Sequence, residues 1–121
     1  MSNRSLTTLL RAHRAMDREL FIVECRINGE SVFMERKAID ASFDRTVEDI
    51  LQGQFEGLLT VLYFNPREGV CRDESEDVAR AVVSKARNEY RALARGVHEF
   101  IEEQLGVGAA RGVELVSGEV A

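Results

Sequence analysis

Apolar residues recur along the start of this chain at spacings of three and four. From Ser5 to about Glu19 this period predicts an amphipathic helix. Arg11, Arg14 and Arg18 fall on a different side of that helix from the inward-facing positions. The inward side is formed by Leu6, Leu9, Leu10, His13 and Met16.

An Asn28-Gly29 pair then separates two strand-like segments, Leu20–Ile27 and Glu30–Lys37. Asn-Gly favours the positive φ angles of a type I′ hairpin turn, so these segments are predicted to form an antiparallel hairpin. If those two residues are the loop, the facing pairs are Ile27 with Glu30, Cys25 with Val32, Val23 with Met34 and Phe21 with Arg36.

The middle of the chain predicts a short helix followed by a buried strand. The helix lies within Asp40–Gly53, is capped by Asp44 or Thr46, and turns inward Phe43, Val47, Ile50 and Leu51. The segment Leu58–Phe64 is apolar on both faces, which is typical of a central or covered strand. The residues Asn65–Asp73 are expected to form a loop leading into the next helix.

From Asp73 to Leu105 the chain keeps one helical period, and an acidic capping box of Asp73 and Glu76 marks its start. Its apolar stripe consists of Ala79, Val83, Ala86, Tyr90, Leu93, Val97 and Phe100, widened by Val82, Ile101 and Leu105.

This helix is long for so small a domain. Thirty-three residues span about 50 Å, whereas a compact chain of this length is roughly 35 Å across. One solution is a break or kink at Gly96, so that the helix packs on the protein's own sheet and first helix, and this is the solution we favour. The other is that part of the helix packs on a partner, most simply a second copy. The predicted partner interface is Val83, Ala86, Tyr90, Leu93, Val97, Phe100 and Ile101.

Together these elements predict an α+β fold of order α-β-β-α-β-α. Its three-stranded, mainly antiparallel sheet is covered by helices and followed by the long C-terminal helix. Residues 1–105 are expected to form a single domain. Residues 106–121 are expected to be a flexible tail, with a brief strand at Val113–Val116 as an option.

Composition narrows the possible functions. A net charge of −5 over 121 residues argues against a general binder of nucleic acid or anionic membranes. Residues 1–18 nevertheless carry four arginines and one aspartate, so Arg11, Arg14 and Arg18 are a possible nucleic-acid patch. No apolar run approaches the length of a membrane span, and two cysteines form no disulfide framework. We therefore expect a cytoplasmic protein.

Candidate catalytic and metal-binding residues are few. His13 and His98 each have an acidic residue four positions later, but no third ligand lies nearby in sequence, so we expect no metal. Cys25 is expected to be buried, and Cys71 lies close to a predicted helix start, where its thiol pKa could be lowered. The Asn65–Asp73 loop lacks a phosphate-binding glycine pattern. We expect neither a cofactor nor enzymatic activity.

One stretch resembles a group of known proteins. It runs from Gly53-Gln54-Phe55-Glu56 through Asn65-Pro66-Arg67-Glu68-Gly69 to Arg72-Asp73-Glu74-Ser75-Glu76-Asp77-Val78-Ala79-Arg80. These residues resemble small uncharacterised bacterial or phage accessory proteins. The resemblance covers residues 53–80 and implies no activity.

The sequence predicts a small non-catalytic regulatory or interaction protein that acts through its long C-terminal helix, on itself as a homodimer or on another protein. One alternative is a nucleic-acid-binding regulator that uses the basic N-terminal helix. Another is a phage-type acidic inhibitor of a host enzyme.

Overall fold

The computed structural model describes residues 19–116. The predicted N-terminal helix lies outside this range. The described strands are β1 (Leu20–Ile27), β2 (Glu30–Phe33), β3 (Leu58–Asn65) and β4 (Val70–Asp73). The helices are α1 (Phe43–Leu51), α2 (Ser75–Glu89) and α3 (Arg95–Leu105), and a single 3₁₀ turn covers Ala38–Asp40.

The four strands form one antiparallel sheet in the order β2-β1-β3-β4. The Asn-Gly hairpin is confirmed: Ile27 pairs with Glu30, and Asn28 and Gly29 have φ angles of 53° and 80°. β2 is shorter than predicted and ends at Phe33. Beyond it the Met34 N–H still donates to Val23 O at 2.8 Å.

β3 is central, as predicted, but the residues after it do not form a simple loop into a helix. The Asn65 side chain accepts hydrogen bonds from the backbone N–H groups of Arg67 and Glu68, at 3.1 and 3.2 Å. Gly69, with φ of 68°, completes the turn, and β4 then pairs with β3. The α+β class is therefore correct, whereas the predicted three-stranded sheet and the predicted element order are wrong.

The helices cover one face of the sheet, and the strand residues that point toward them are Phe21, Val23, Cys25, Leu58, Val61 and Tyr63. The predicted inward stripe of α1 is confirmed, since Val47, Ile50 and Leu51 are buried and Phe43 packs against the core. Its cap is Ser42, whose hydroxyl accepts from the Arg45 N–H at 3.2 Å, and neither of the caps we predicted.

A partly buried arginine, Arg36, connects α1 to the sheet. Its guanidinium donates to Phe21 O at 3.1 Å, to Thr46 Oγ1 at 3.0 Å and to Asp49 Oδ2 at 3.4 Å. It also donates to Asp40 O. Burial lowers the pKa of Arg36 and outweighs the opposing effect of the neighbouring Asp49 charge. The side chains of Arg36 and Asp49 are only 10% and 7% exposed. Removing either charge would therefore leave the other without its counter-ion, which lowers stability.

The predicted helix from Asp73 to Leu105 is two helices. α2 starts at Ser75, whose N–H donates to the Asp73 carboxylate at 2.8 Å, and ends at Glu89. The break therefore precedes the predicted kink position, because Gly96 lies inside the first turn of α3. The two helices contact each other and both contact β3.

Residues 106–116 lie against the domain. Ala110 is fully buried, and Leu115 forms a parallel bridge with Leu93. The Leu93 N–H donates to Glu114 O, and the Val116 N–H donates to Leu93 O, both at 2.8 Å. The brief strand predicted at Val113–Val116 is thus a single bridge. The flexibility of residues 106–121 stays a prediction.

The buried ion pair predicts a large loss of stability when one charge is removed. We expect Asp49→Ala to lower the free energy of unfolding by about 3 kcal/mol, because it leaves the Arg36 charge buried without its counter-ion. Urea unfolding followed by circular dichroism measures the change. Asp44→Ala is the control, since Asp44 is an exposed acid of the same helix. If Asp49→Ala and Asp44→Ala lowered the free energy of unfolding by the same small amount, the Arg36–Asp49 pair would not hold α1 in place.

Candidate interaction surface

The structure separates the seven residues of the predicted partner interface into two groups. Tyr90 is 96% exposed. The other six are in the core of the single chain: Val83, Ala86, Leu93, Val97, Phe100 and Ile101. The break in the helix explains this burial, because it lets both halves of the apolar stripe pack within one domain. A partner could reach those six residues only by opening the domain, so Tyr90 is what remains of the predicted interface.

Tyr90 lies at the turn that ends α2 and has a left-handed backbone, with φ of 54° and ψ of 43°. Its N–H donates to Arg87 O at 3.4 Å, and the N–H of Arg91 donates to Ala86 O at 2.9 Å. This pair of bonds is a Schellman motif, in which the left-handed position is usually glycine because a Cβ is unfavourable there. The backbone bonds are satisfied without the aromatic ring, which projects into solvent.

A surface groove of about 310 Å³ opens beside this ring. One wall is the C-terminal end of α2 with the turn after it, and the other is the returning segment of residues 112–114. Its lining is Ala86, Arg87, Tyr90, Arg91, Ala92, Gly112, Val113 and Glu114. We call this the Tyr90 groove.

The two arginines of the Tyr90 groove are already bonded within the chain. Arg87 donates to the carbonyl oxygens of Ala109 and Arg111, at 2.9 and 3.1 Å, and so holds the returning segment in place. Arg91 forms a two-point contact with Glu48, at 3.0 and 2.8 Å. The hydrogen bonds to Glu48 raise the pKa of Arg91 above its ordinary value. These cations therefore shape the groove, which is a poor site for a free anion.

Hydrogen bonds from Arg91, Lys85 and Gln52 hold the pKa of Glu48 well below its ordinary value. The Lys85 ammonium lies 2.9 Å from Glu48 Oε1. Glu48 belongs to α1, whereas Lys85 and Arg91 belong to α2 and the turn after it. The cluster thus fixes the position of the turn, and with it the backbone that carries Tyr90.

The other candidate residues do not gather into a chemical site. Cys25 is buried, and burial raises the pKa of its thiol. Cys71 is exposed on β4. His98 Nδ1 lies 3.8 Å from Glu102 Oε1. Within residues 19–116, no three His, Cys, Asp or Glu residues are grouped in a way that could hold a metal ion. In the same range, no helix has both the length and the apolar composition needed to cross a membrane.

Several predicted residues lie outside the described range, namely His13 and the possible nucleic-acid patch Arg11, Arg14 and Arg18. Their roles stay predictions. The exposure of Tyr90 could not be foreseen, because the ring falls on the apolar stripe and no glycine or proline marks the break between Glu89 and Ala94. The Tyr90 groove also depends on residues 112–114, which we expected to lie in a flexible tail.

Comparisons of this chain with protein-family models, with curated proteins and with solved structures return no match. The resemblance of residues 53–80 to bacterial or phage accessory proteins therefore stays a prediction.

The left-handed backbone predicts that glycine is at least as stable as tyrosine at this position. We expect Tyr90→Gly to raise the free energy of unfolding by about 0.5 kcal/mol, because relief of the Cβ penalty of about 1–2 kcal/mol exceeds the entropic cost of glycine. Tyr90→Ala keeps the Cβ and should give no gain. Urea unfolding measures both variants. A loss above 1 kcal/mol in Tyr90→Gly would show that the ring stabilises the fold.

Proposed function

We propose that the protein is a non-catalytic regulatory protein that binds a protein partner, a second copy or another chain, through Tyr90 and the Tyr90 groove. The observation that carries the proposal is a large aromatic side chain that is 96% exposed on a left-handed backbone. This revises the surface first predicted from the sequence: the contact is the turn between α2 and α3 rather than the apolar stripe.

The left-handed backbone makes tyrosine an energetically unfavourable residue at position 90. A residue with a Cβ is unfavourable in this conformation, and an exposed ring recovers little of that cost through packing. Backbone strain without a stabilising contact is a reason to look for a function in binding. Tyrosine also provides a large contact area with few rotatable bonds, and it is enriched among residues that dominate binding energy.

The surroundings support a protein partner. The Tyr90 groove combines a small apolar floor, formed by Ala86, Ala92 and Val113, with two arginines at its rim. Aromatic and arginine side chains are enriched at protein interfaces. The groove walls are held by the Arg87 and Arg91 hydrogen bonds, so a partner would meet a preformed surface.

Site-specific photocrosslinking tests this proposal. A benzophenone amino acid placed at position 90 in the producing cells should yield one discrete adduct, with a second copy or with a defined protein. Val107 is the matched control, because it is 97% exposed but lies away from the groove lining. The same substitution at position 107 should not give that adduct.

A second measurement separates binding from folding. We expect Tyr90→Gly to weaken self-association, or binding of the crosslinked protein, by about 30-fold or more, as for a residue that dominates an interface. Sedimentation velocity or titration calorimetry gives the dissociation constant, and Val107→Ala should leave it unchanged. If positions 90 and 107 gave the same adducts and Tyr90→Gly bound like the wild type, the proposal would be wrong.

A further inference from the structure

The outer edge of β2 is open in the described part of the chain. β2 stands first in the strand order, and within residues 19–116 no segment forms a backbone hydrogen bond with its outer side. The segment that follows β2 covers the same side of β1, because the Phe21 N–H donates to Ala41 O at 2.7 Å. The open stretch on this side of the sheet is therefore β2 itself.

The register identifies the backbone groups of β2 that face outward. The Met34 N–H donates to Val23 O at 2.8 Å, and hydrogen-bonded pairs alternate with non-hydrogen-bonded pairs along an antiparallel ladder. Val32 lies two residues earlier and therefore also bonds to β1. Ser31 and Phe33 alternate with these positions, so their N–H and C=O groups point away from the sheet. Each offers one donor and one acceptor to another strand.

The side chains of β2 are unusually apolar for an open edge. Val32 is 38% exposed on the side of the sheet that carries the helices, and Phe33 is 58% exposed on the opposite side. Natural proteins protect such edges with charged side chains, proline or bulges. β2 carries a single charge, Glu30, next to the turn, and its pairing with β1 is regular. The edge is therefore suited to the addition of a strand.

The opposite edge of the sheet is protected. β4 is equally short, but two of its four residues are charged, Arg72 and Asp73, and Glu74 follows directly. Two β4 strands paired in a register centred on Arg72 would set like charges opposite each other, which is unfavourable. Strand addition is thus favoured at β2 and opposed at β4.

We infer that β2 pairs with β2 of a second copy of this chain, antiparallel about a twofold axis, so that the two sheets join into one. Directly opposite residues must point to the same side of the joined sheet. A register centred on Val32 meets this requirement, because Val32 faces its own counterpart and Ser31 faces Phe33 of the second copy. Each of the two Ser31–Phe33 pairs exchanges two backbone hydrogen bonds, which makes about four between the copies.

The side chains are self-complementary in this register. The two Val32 side chains form a close apolar pair, and the large Phe33 ring lies beside the small Ser31 of the second copy. Glu30 faces Met34 of the second copy, so no like charges are opposed. A second copy is therefore favoured over an unrelated extended peptide, which would have to supply this match by itself.

The neighbouring registers fit less well. A register centred on Ser31 sets Phe33 opposite Gly29, which belongs to the hairpin turn and has a φ of 80°. A register centred on Phe33 pairs Ser31 with Glu35, which lies beyond the end of β2. Because the shared strand is short, we expect a weak dimer with a Kd in the micromolar range. The inference does not rest on the proposed role of Tyr90.

Disulfide crosslinking of the full chain tests the register. In a Cys71→Ser background, Val32→Cys should give a covalent dimer on mild oxidation, since the two Cα atoms of a non-hydrogen-bonded pair are about 4.5 Å apart. Cys25 is buried and should not react. Glu30→Cys is the matched control, because it is exposed on the same side of the same strand but lies about 13 Å from its counterpart. Equal crosslinking at both positions, or none at position 32, overturns the inference.

A proline variant tests the backbone pairing at equilibrium. Ser31→Pro removes an outward N–H that the hairpin itself does not use, so the chain should keep its native circular dichroism spectrum. Because two of the intermolecular hydrogen bonds are lost, sedimentation equilibrium should show the Kd of the dimer raised about tenfold or more. Ser31→Ala is the control: it also loses the hydroxyl bond to Glu24 but keeps the N–H, and its Kd should match the wild type.

Three results of the equilibrium measurement overturn the inference. The first is a wild type that stays monomeric at about 1 mM, whether or not another protein can bind the edge. The second is an equal Kd for Ser31→Pro and Ser31→Ala. The third is a dimer that is weakened by Tyr90→Gly and unaffected by Ser31→Pro, which would assign self-association to the Tyr90 groove. A dimer weakened by Ser31→Pro alone would support the β2 edge and leave the groove to a different protein.

Discussion

The reversal of the chain between Glu89 and Arg95 is the constraint on which the rest of the structure depends. A continuous helix over the same residues would carry half of its apolar stripe beyond the sheet. Breaking the helix at Tyr90 brings Val83 and Ala86 of α2 and Phe100 of α3 into a single core. The Schellman hydrogen bonds end α2. They place Tyr90 in a left-handed conformation, which is unfavourable for a residue with a Cβ. The same event therefore completes the core and places one aromatic ring in solvent.

Two polar clusters hold the elements around this reversal. Arg36 joins α1 to β1, and Glu48 joins α1 to the turn after α2 through Arg91. Because hydrogen bonds depress the pKa of Glu48, its contribution is fully present above the ordinary carboxylate pKa and is lost only as the pH falls through the lowered value. α1 thus connects the sheet, through Arg36, to the turn that carries Tyr90, through Arg91.

Local signals made part of this fold predictable. The Asn28-Gly29 turn and the alternation around it specify the first hairpin, and the two-sided apolar character of Leu58–Phe64 specifies a central strand. The helix break was not predictable from periodicity, because the stripe continues through it in perfect spacing. The cause of the break lies in tertiary packing, because one sheet has to cover both halves of the apolar stripe. The Tyr90 groove was missed for the same reason, since its second wall comes from residues 112–114, which show no periodic pattern.

The central claim is that one chain buries every residue of the apolar stripe except Tyr90, which is left for contact with a partner. An isotope-filtered NOE experiment on an equimolar mixture of ¹³C-labelled and unlabelled protein tests it directly. The account predicts that every NOE between the methyl groups of Val83 or Ala86 in α2 and those of Val97 or Ile101 in α3 is intramolecular. Intermolecular NOEs among these methyl groups would contradict it and would show that the stripe is shared between two copies.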